Sequence, residues 1–499
     1  MALNTDSRVL TLSVARMADA LGNSFLIIVL PLYIASGEIS LVGIAGTEIS
    51  LPGTALGGFV LREETLIGVV LSLFGLLNSF GQPFTGRWSD RLGRRKVFVL
   101  GGLALFGVGS AAYPFAGTYW TVLLARALQG VGAAFTVPAT VALINDYAES
   151  DSERGGNFGV YNTLRLLGFG FGPIIAGVVI TGGLAAEGVV TYDLLGLVIS
   201  GFDAAFAVAV LGAVVSTVLV VLFIEDPPEA ADAASKDLSI AIRGPDGRGL
   251  DSVFVLGIGT FLMATTIALF ATLEGPIRAR LGESTFFFSV QFAAVTLANV
   301  AFQIPIGRAS DRYGRRPFVV SGFVVLIPSV FVQGLVTDPW LMLGARFIQG
   351  MAVALVFAPS LALAGDLSGE RGSGTTLSVL TMAFGLGVAV GPLASGVLYN
   401  VGSFETPFFF GAVLSVLALV LVYSQVEETL TEPTRESKKY IIPCYHVRYA
   451  CPPIHSRQTN VAVRNAGTTK STSIVSRRRV VASRSCSTSR RTTSRSSLV

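Results

Sequence analysis

Charge is what this 499-residue sequence has little of: Asp, Glu, Lys and Arg make up only 14% of it, against about a quarter in a soluble globular domain. So few charges cannot cover a water-facing surface of this size, which excludes an ordinary soluble enzyme. Cysteine is scarcer still, three residues in all, too few for a disulfide-stapled secreted scaffold. Before Ser437 there is neither Cys nor His, so no nucleophile–His pair and no imidazole metal triad. No Walker-type phosphate loop is present, which argues against ATP-driven pumping. What abounds is apolar: 52% hydrophobic residues, 56 Gly, 33 Phe and a mean hydropathy of +0.66. The composition is that of a polytopic membrane protein, and no enzyme activity is expected of it.

The formal net charge of +4 averages two unlike pieces. All 32 acidic residues lie at or before Glu436, whereas Ser437–Val499 holds 13 of the 36 basic residues, all three Cys and both His. The sequence pI near 9.0 therefore belongs to the tail, and nucleic acid is not an expected partner. The tail is rich in Ser, Thr and Arg, without an apolar stretch that could span or pack, and is expected to be disordered. Its abrupt change of composition reads as translation in a shifted frame or as a nonessential extension. Cys444, His446, Cys451 and His455 are zinc-ligand types, but their irregular context and lack of a surrounding fold argue against a site. No metal and no cofactor are expected.

A helix needs about 20 mostly apolar residues to cross the hydrocarbon core. By that ruler the sequence predicts an all-α polytopic fold with twelve spans: 8–34, 65–86, 95–116, 118–146, 155–182, 203–224, 252–275, 285–308, 316–336, 339–365, 372–399 and 405–425. No cleavable signal is expected, since the first apolar run is long enough to span and stay. Arg87, Arg91, Arg94, Arg95 and Lys96 cluster between spans two and three, and Arg308, Arg312, Arg315 and Arg316 between spans eight and nine. The opposite loops lean acidic, with Glu38, Glu48, Glu63, Glu64, Glu187, Asp193, Asp338 and Glu405 against Arg278 and Arg280. Basic loops stay on the cytoplasmic side, so both termini and the polar linker Glu225–Leu250 are expected there. Gly37–Glu64 is expected to be an outer loop. The domain reading is residues 1–224 as the first six-helix half, 225–251 as linker, 252–425 as the second half and 426–499 as tail.

The halves repeat. Gly86-Arg-Trp-Ser-Asp90-Arg91-Leu-Gly93-Arg94-Arg95 recurs as Gly307-Arg-Ala-Ser-Asp311-Arg312-Tyr-Gly314-Arg315-Arg316. Asn78 and Gln82 recur as Asn299 and Gln303, Arg126-Ala-Leu-Gln129-Gly130 as Arg346-Phe-Ile-Gln349-Gly350, Pro138 as Pro359, Asp146 as Asp366, and Gly172-Pro173 as Gly391-Pro392. So many positions near one offset identify two pseudo-symmetric halves, an arrangement that usually places the substrate site between the repeats near the midplane.

On these residues the chain resembles the major facilitator superfamily, and within it the twelve-span drug:proton antiporters, over about residues 8–425. The superfamily's loop motif G-x-x-x-D-R-x-G-R-R/K appears twice. The R-x-x-Q-G motif of span four appears at Arg126. The antiporter motif of span five, G-x-x-x-G-P-x-x-x-G, appears at Gly168, Gly172, Pro173 and Gly177, with an echo at Gly387, Gly391, Pro392 and Gly396. The resemblance implies alternating access by rocking of the halves.

Each motif also has a physical reading. Asp90 beside several arginines can tie spans together by charge-assisted hydrogen bonds, and Asp146 is placed to join it, as Asp366 is in the second half. Gly86, Asp90, Arg91, Gly93, Arg94, Asp146, Gly307, Asp311, Arg312, Gly314, Arg315 and Asp366 are thus expected to form a cytoplasmic gate; the alternative is that they only fix topology. Ionisable residues inside a membrane are costly and usually functional: Arg16 and Asp19 in span one, Arg126 in four, Arg165 in five, Glu274 in seven and Arg346 in ten. Asp19 lies ~17 Å along span one from Arg8 and Arg126 ~12 Å below Thr118, at 1.5 Å per residue. In a core about 30 Å thick these depths nearly coincide, so Asp19 is expected to exchange protons with Arg126 as partner. A static pair of Asp19 with Arg16 or Arg165 stays open, as does Glu274 as the second carboxylate, with Gly275-Pro276 expected to end its helix. Span seven has no carboxylate at the depth of Asp19 (Ala264 is the rough counterpart), which suggests that the second half has lost coupling. Asn78, Gln82, Arg165, Asn299, Gln303 and Arg346 are candidate cavity residues.

The expected function is a proton-coupled exporter of small amphipathic or drug-like molecules in the plasma membrane, working as a monomer. The alternative is a symporter importing a sugar or other metabolite, and, from another class, a nontransporting receptor. The expected partners are a small-molecule substrate, the proton and the lipid bilayer.

Overall fold

The computed structural model describes residues 6–50, 58–148, 150–184, 188–194, 196–227, 250–367 and 373–429. The middle of the linker, Glu187 and the tail with its Cys and His residues lie outside the described residues. Seven-tenths of the described chain or more is helix, for the reason the composition gives: in lipid every backbone N–H and C=O must be paired within its own segment.

The first half consists of α1 (Ser7–Ala35), α2 (Glu63–Leu92), α3 (Arg95–Ala112), α4 (Tyr119–Asp146), α5 (Asp151–Thr181) and α6 (Gly201–Phe223). The second consists of α7 (Ser252–Ala268), α8 (Glu274–Leu281), α9 (Thr285–Tyr313), α10 (Arg315–Gln333), α11 (Pro339–Asp366), α12 (Ser373–Val401) and α13 (Thr406–Gln425). A 3-10 turn, Leu269–Leu273, joins α7 and α8 into one span. Among the described residues twelve spans are long and apolar enough to cross a membrane. Side chains cap many of their starts, Thr118 for α4, Ser200 for α6, Asp251 for α7, Ser284 for α9 and Asp338 for α11, accepting from N–H groups that have no intrahelical partner.

Two features depart from the expectation. Span seven does not end at Gly275-Pro276. Pro276 falls in the first turn of α8, where its missing N–H costs nothing, and the break comes earlier, in the 3-10 turn. The fold also carries two small antiparallel hairpins, β1 (Glu48–Ser50) with β2 (Gly58–Val60) and β3 (Thr191–Leu194) with β4 (Leu197–Ser200). Both lie at the end opposite the two basic loops. These ends are called here the hairpin end and the latch end.

The halves meet at the hairpin end. One apolar cluster there draws on both, including Leu26, Ile67 and Phe206 from the first half and Phe270, Phe288 and Met342 from the second. The other two clusters stay within a half each, one around Leu12, Phe98, Leu143 and Val220, the other around Met263, Phe323, Leu363 and Val422. Hydrogen bonds follow the same pattern. Among the described residues those between halves join α2 or its approach to α12: Thr65 Oγ1 to Gly396 O (3.2 Å), Leu393 N to Ser72 Oγ (3.0 Å), and Asn400 Nδ2 to Val60 O and Thr65 Oγ1. The structure is closed at the hairpin end.

Candidate functional site

The two basic loops fold into matching latches. Gly93 ends α2 in the left-handed region (φ 60°) and Gly314 ends α9 at φ 102°, conformations that a side chain would strain. In the first half Arg95, 3% exposed, forms ion pairs with Asp90 (3.4 Å) and with Asp146 at the end of α4. In the second, Arg315 pairs with Asp311 (3.3 Å) and with Asp366 at the end of α11, and donates to Ala362 O (2.7 Å). The carboxylates assemble as expected, but the first-half arginine is not the expected one. Arg94 stands exposed just before α3 with no capping side-chain bond, and Arg91 and Arg312 are exposed too. Two residues, Gly93 and Arg94, separate α2 from α3, whereas Gly314 alone separates α9 from α10. The repeat therefore slips by one residue at this loop, and Arg95 is the structural counterpart of Arg315. Gly86 and Gly307 sit within α2 and α9 just before these turns. A further pair of contacts confirms the register: Lys96 N donates to Asp226 just after α6 (2.8 Å), and Arg316 N to Glu428 just after α13 (2.8 Å).

The R-x-x-Q-G motif is a buried guanidinium clamp. One turn of helix lets Arg126 Nη1 donate to Gln129 Oε1 (3.0 Å), while Tyr113 donates to the same oxygen (2.9 Å) and Gln129 Nε2 to Ser110 (2.9 Å). Arg126 lies over the Phe74 ring, 4.4 Å from its centre. In the second half Arg346 Nη1 donates to Gln349 Oε1 (2.7 Å), Gln333 Nε2 donates to the same atom (3.1 Å), and Arg346 lies 4.0 Å over Phe270. Neither arginine has a carboxylate partner among the described residues; amide oxygens and ring faces hold the charge. The glycine after each Gln admits a neighbouring backbone, since a Cβ on Gly130 would meet Phe74 O and one on Gly350 would meet Val295 O.

Asp19 is not brought to Arg126. It forms an ion pair with Arg16, one turn away on α1, and both face a cavity lined by Leu12, Val99, Thr136, Thr140 and Val220. Asp19 is thus level with Thr136, ten residues and so ~15 Å along α4 from Arg126. The reason is length: α4 has 28 residues, ~42 Å at 1.5 Å each, so depths measured from opposite ends of α1 and α4 do not meet at one midplane. Arg165 also misses Asp19. It donates to Asn162 (2.9 Å), and Arg16 and Tyr161 are its charged or titratable neighbours.

The antiporter motif divides its glycines between two tasks. A Cβ on Gly168 would strike Met17 O, and one on Gly172 would strike Ser24 and Leu21 O, so both bring α5 against α1 within the first half. Gly177 instead faces Ser289 and Phe286 of α9 in the other half. The echo divides identically. Gly387 and Gly391 admit Phe261, Ala264 and Thr265 of α7, while Gly396 faces Glu64 and Thr65 of α2 across the interface. Pro173 and Pro392 lie within α5 and α12, and the carbonyl of Pro392 accepts from Thr272 (2.9 Å). Gln82 donates to Asn78 (3.0 Å), whereas Asn299 is buried with its amide oxygen unpaired and Gln303 is partly exposed.

Among the described residues Glu274 differs from every other carboxylate in the spans: it is 1% exposed and neither of its oxygens has a hydrogen-bond partner. Two neighbours that sequence reasoning missed each carry one buried oxygen without a partner among the described residues, Glu283 before α9 and Gln291 within it. The available signal was an acid and an amide within eight residues of each other at the mouth of an otherwise apolar span.

Comparison with known proteins follows the same lines. A family model described as Major Facilitator Superfamily matches residues 12–249 and 256–488. The inner membrane transport protein YajR of Escherichia coli (strain K12) is 24% identical over 406 residues, covering 80% of this chain and 82% of that protein. The class B tetracycline resistance protein of Escherichia coli is 28% identical over 383 residues, covering 72% and 87%. Among solved structures, a bacterial homologue of the human lysosomal transporter Spinster, in an inward-facing and occupied conformation, has a TM-score of 0.63 at 15% identity, covering 83% of this chain and 95% of that one.

Proposed function

The chain belongs to the Major Facilitator Superfamily, and on that premise we propose that it is a proton-coupled exporter of small amphipathic or drug-like molecules, acting as a monomer in the plasma membrane. It is a multi-pass integral membrane protein with twelve spans and, as a transporter of this family, takes a small-molecule substrate. The arginine-rich latch end faces the cytoplasm by the positive-inside rule. With the halves joined at the hairpin end, an exporter in this state would load its substrate from the cytoplasmic side. Similarity to the tetracycline resistance protein supports the drug-like substrate class.

The proposal of proton coupling rests on one observation: Glu274 is a carboxyl group fully buried in a span with no partner among the described residues. An isolated carboxylate there is costly, so the group holds a proton in this state. Of the three expected coupling residues we therefore assign the exchangeable proton to Glu274. Asp19 is neutralised by Arg16 on its own helix, and Arg126 stiffens the α3–α4 corner. Arg165, Asn78, Gln82, Asn299 and Gln303 supply polar contacts along the path, and rocking pivots on the cross-half glycines Gly177 and Gly396 while the latches keep each half rigid.

The full chain in vesicles with an imposed pH gradient tests this reading, followed with an ethidium-like cation and a tetracycline-like probe. Gradient-driven accumulation of either, absent without the gradient, is the expected result. Accumulation of a sugar moving in the same direction as the proton, with neither probe moved, overturns export in favour of symport.

A further inference from the structure

Glu274 is one of a group. Glu283 Oε2 accepts from Gln291 Nε2 at 2.6 Å, and the same amide nitrogen donates to Pro339 O (3.1 Å). The amide oxygen of Gln291, a residue with no exposed surface, has no partner, nor has Glu283 Oε1. With the two oxygens of Glu274, four buried acceptors on three side chains lack a donor. Arg278, one turn from Glu274 on α8, acts on both carboxyl groups electrostatically but forms no ion pair with either among the described residues, and its own Nε is unpartnered. A nest of acceptors in apolar surroundings is completed by protons, because a protonated carboxyl group donates as well as accepts.

Depth orders the group. Glu274 is seven residues, ~10 Å, below the hairpin end of α8 at Leu281, and Gln291 is six residues, ~9 Å, into α9. Glu283 stands between the two helices at the surface, half-buried.

We infer that Glu283, Gln291 and Glu274 form a proton relay that opens at the hairpin end, with Glu283 collecting the proton and Glu274 storing it inside the membrane. This rests on Glu274 as the exchangeable carboxyl group and adds the entry side, the port and the orienting amide. The second half, which lacks a carboxylate level with Asp19, thus couples at a different depth. Burial pushes the Glu283 carboxyl up to about 7, against the opposing pull of its Gln291 hydrogen bond and of Arg278. It is therefore occupied by a proton below that pH and empties as the pH rises through it. Other charged or titratable groups on the adjoining elements have partners of their own: Arg346 of α11 donates to Gln291 O (3.3 Å), Asp338 before α11 accepts from Trp340 N (2.9 Å) and Leu341 N (3.0 Å), Arg280 pairs with Glu405 (2.9 Å), and the Tyr33 hydroxyl of α1 donates to Tyr113 O (3.2 Å) and Ala116 O (3.3 Å).

The test uses the full chain in vesicles, with the initial rate of gradient-driven movement of an ethidium-like cation measured against hairpin-side pH. Undriven exchange of the same cation serves as the control for folding. The wild-type rate is expected to fall several-fold as that pH rises, with a midpoint near 7. Glu283→Gln loses the pH dependence, Glu283→Asp restores it, and Glu274→Gln loses driven movement, while all three keep exchange. A wild-type profile in Glu283→Gln, with Glu274→Gln inactive, overturns the relay and leaves Glu274 as the carrier. Driven movement that survives Glu274→Gln overturns the reading on which the relay rests. A driven rate that follows sodium at constant pH identifies a sodium site and overturns the proton.

Discussion

The two halves share a frame and differ in where they keep their carboxylates. Latch, guanidinium clamp and glycine division recur nearly atom for atom: Arg95 against Arg315, Arg126–Gln129 against Arg346–Gln349, and Gly168, Gly172 and Gly177 against Gly387, Gly391 and Gly396. Ionisable chemistry does not recur. The first half holds Asp19 toward the middle of α1, paired with Arg16, whereas the second holds Glu274 near the hairpin end, unpaired among the described residues. Packing is what the duplication repeats, because both halves solve the same problem of bringing helices together in lipid. Under the proposed coupling a proton has to be bound and released in one half only.

The repeated frame can be broken at predictable places. The largest effect is expected where a glycine touches backbone within a half. Gly168→Leu or Gly387→Leu forces α5 off α1 or α12 off α7, overpacking that costs on the order of 3 kcal/mol or more, so thermal unfolding drops sharply or folding fails. Gly101→Leu, on a face with open space around it, leaves the melting temperature near wild type. The latches come next. Arg95→Ala abandons Asp90 and Asp146 and costs about 3 kcal/mol. Arg315→Ala costs less because its acids are more exposed, and Arg94→Ala stays within ~0.5 kcal/mol. Equal losses from Arg94→Ala and Arg95→Ala in a denaturation series would remove the one-residue slip. Gln129→Ala and Gln349→Ala should each cost about 1–3 kcal/mol by leaving a buried guanidinium short of an acceptor; a difference between them measures how far the clamps are equivalent. The smallest effect is at the hairpin surface, where Arg280→Ala removes the exposed pair with Glu405 and costs under about 1 kcal/mol. Ser403 first, with Arg280 after it, holds the Glu405 carboxyl below its usual range, so the stability this lowering contributes is complete above the ordinary glutamate value and is lost as the pH falls from there through the lowered one.

Much of this architecture was legible in the sequence, because long apolar runs and doubled motifs are signals spread over many residues. Even the slip was encoded: Gly86 and Gly307 differ by 221, while Asp146 and Asp366 differ by 220. Aligning the motif letters straight through the loop hid it and set Arg94 where Arg95 belongs. Side-chain partners were less legible. Depth along a helix says nothing about rotation around it, so Asp19 and Arg126 could be given one depth although Asp19 meets Arg16 on its own helix. Depth itself failed because α4 is longer than the hydrocarbon core is thick. Glu283 and Gln291 are single polar residues with no periodicity to mark them, and the hairpins β1–β2 and β3–β4 are only three or four residues per strand.

The unequal roles proposed for the two carboxylates are tested most directly by measuring probe accumulation under an imposed pH gradient for Glu274→Gln and Asp19→Asn side by side, with undriven exchange as the control. Glu274→Gln is predicted to retain exchange and lose all accumulation, while those Asp19→Asn molecules that fold still accumulate probe in proportion to the gradient. Accumulation preserved in Glu274→Gln and abolished in folded Asp19→Asn would contradict the account and return the proton to the first half.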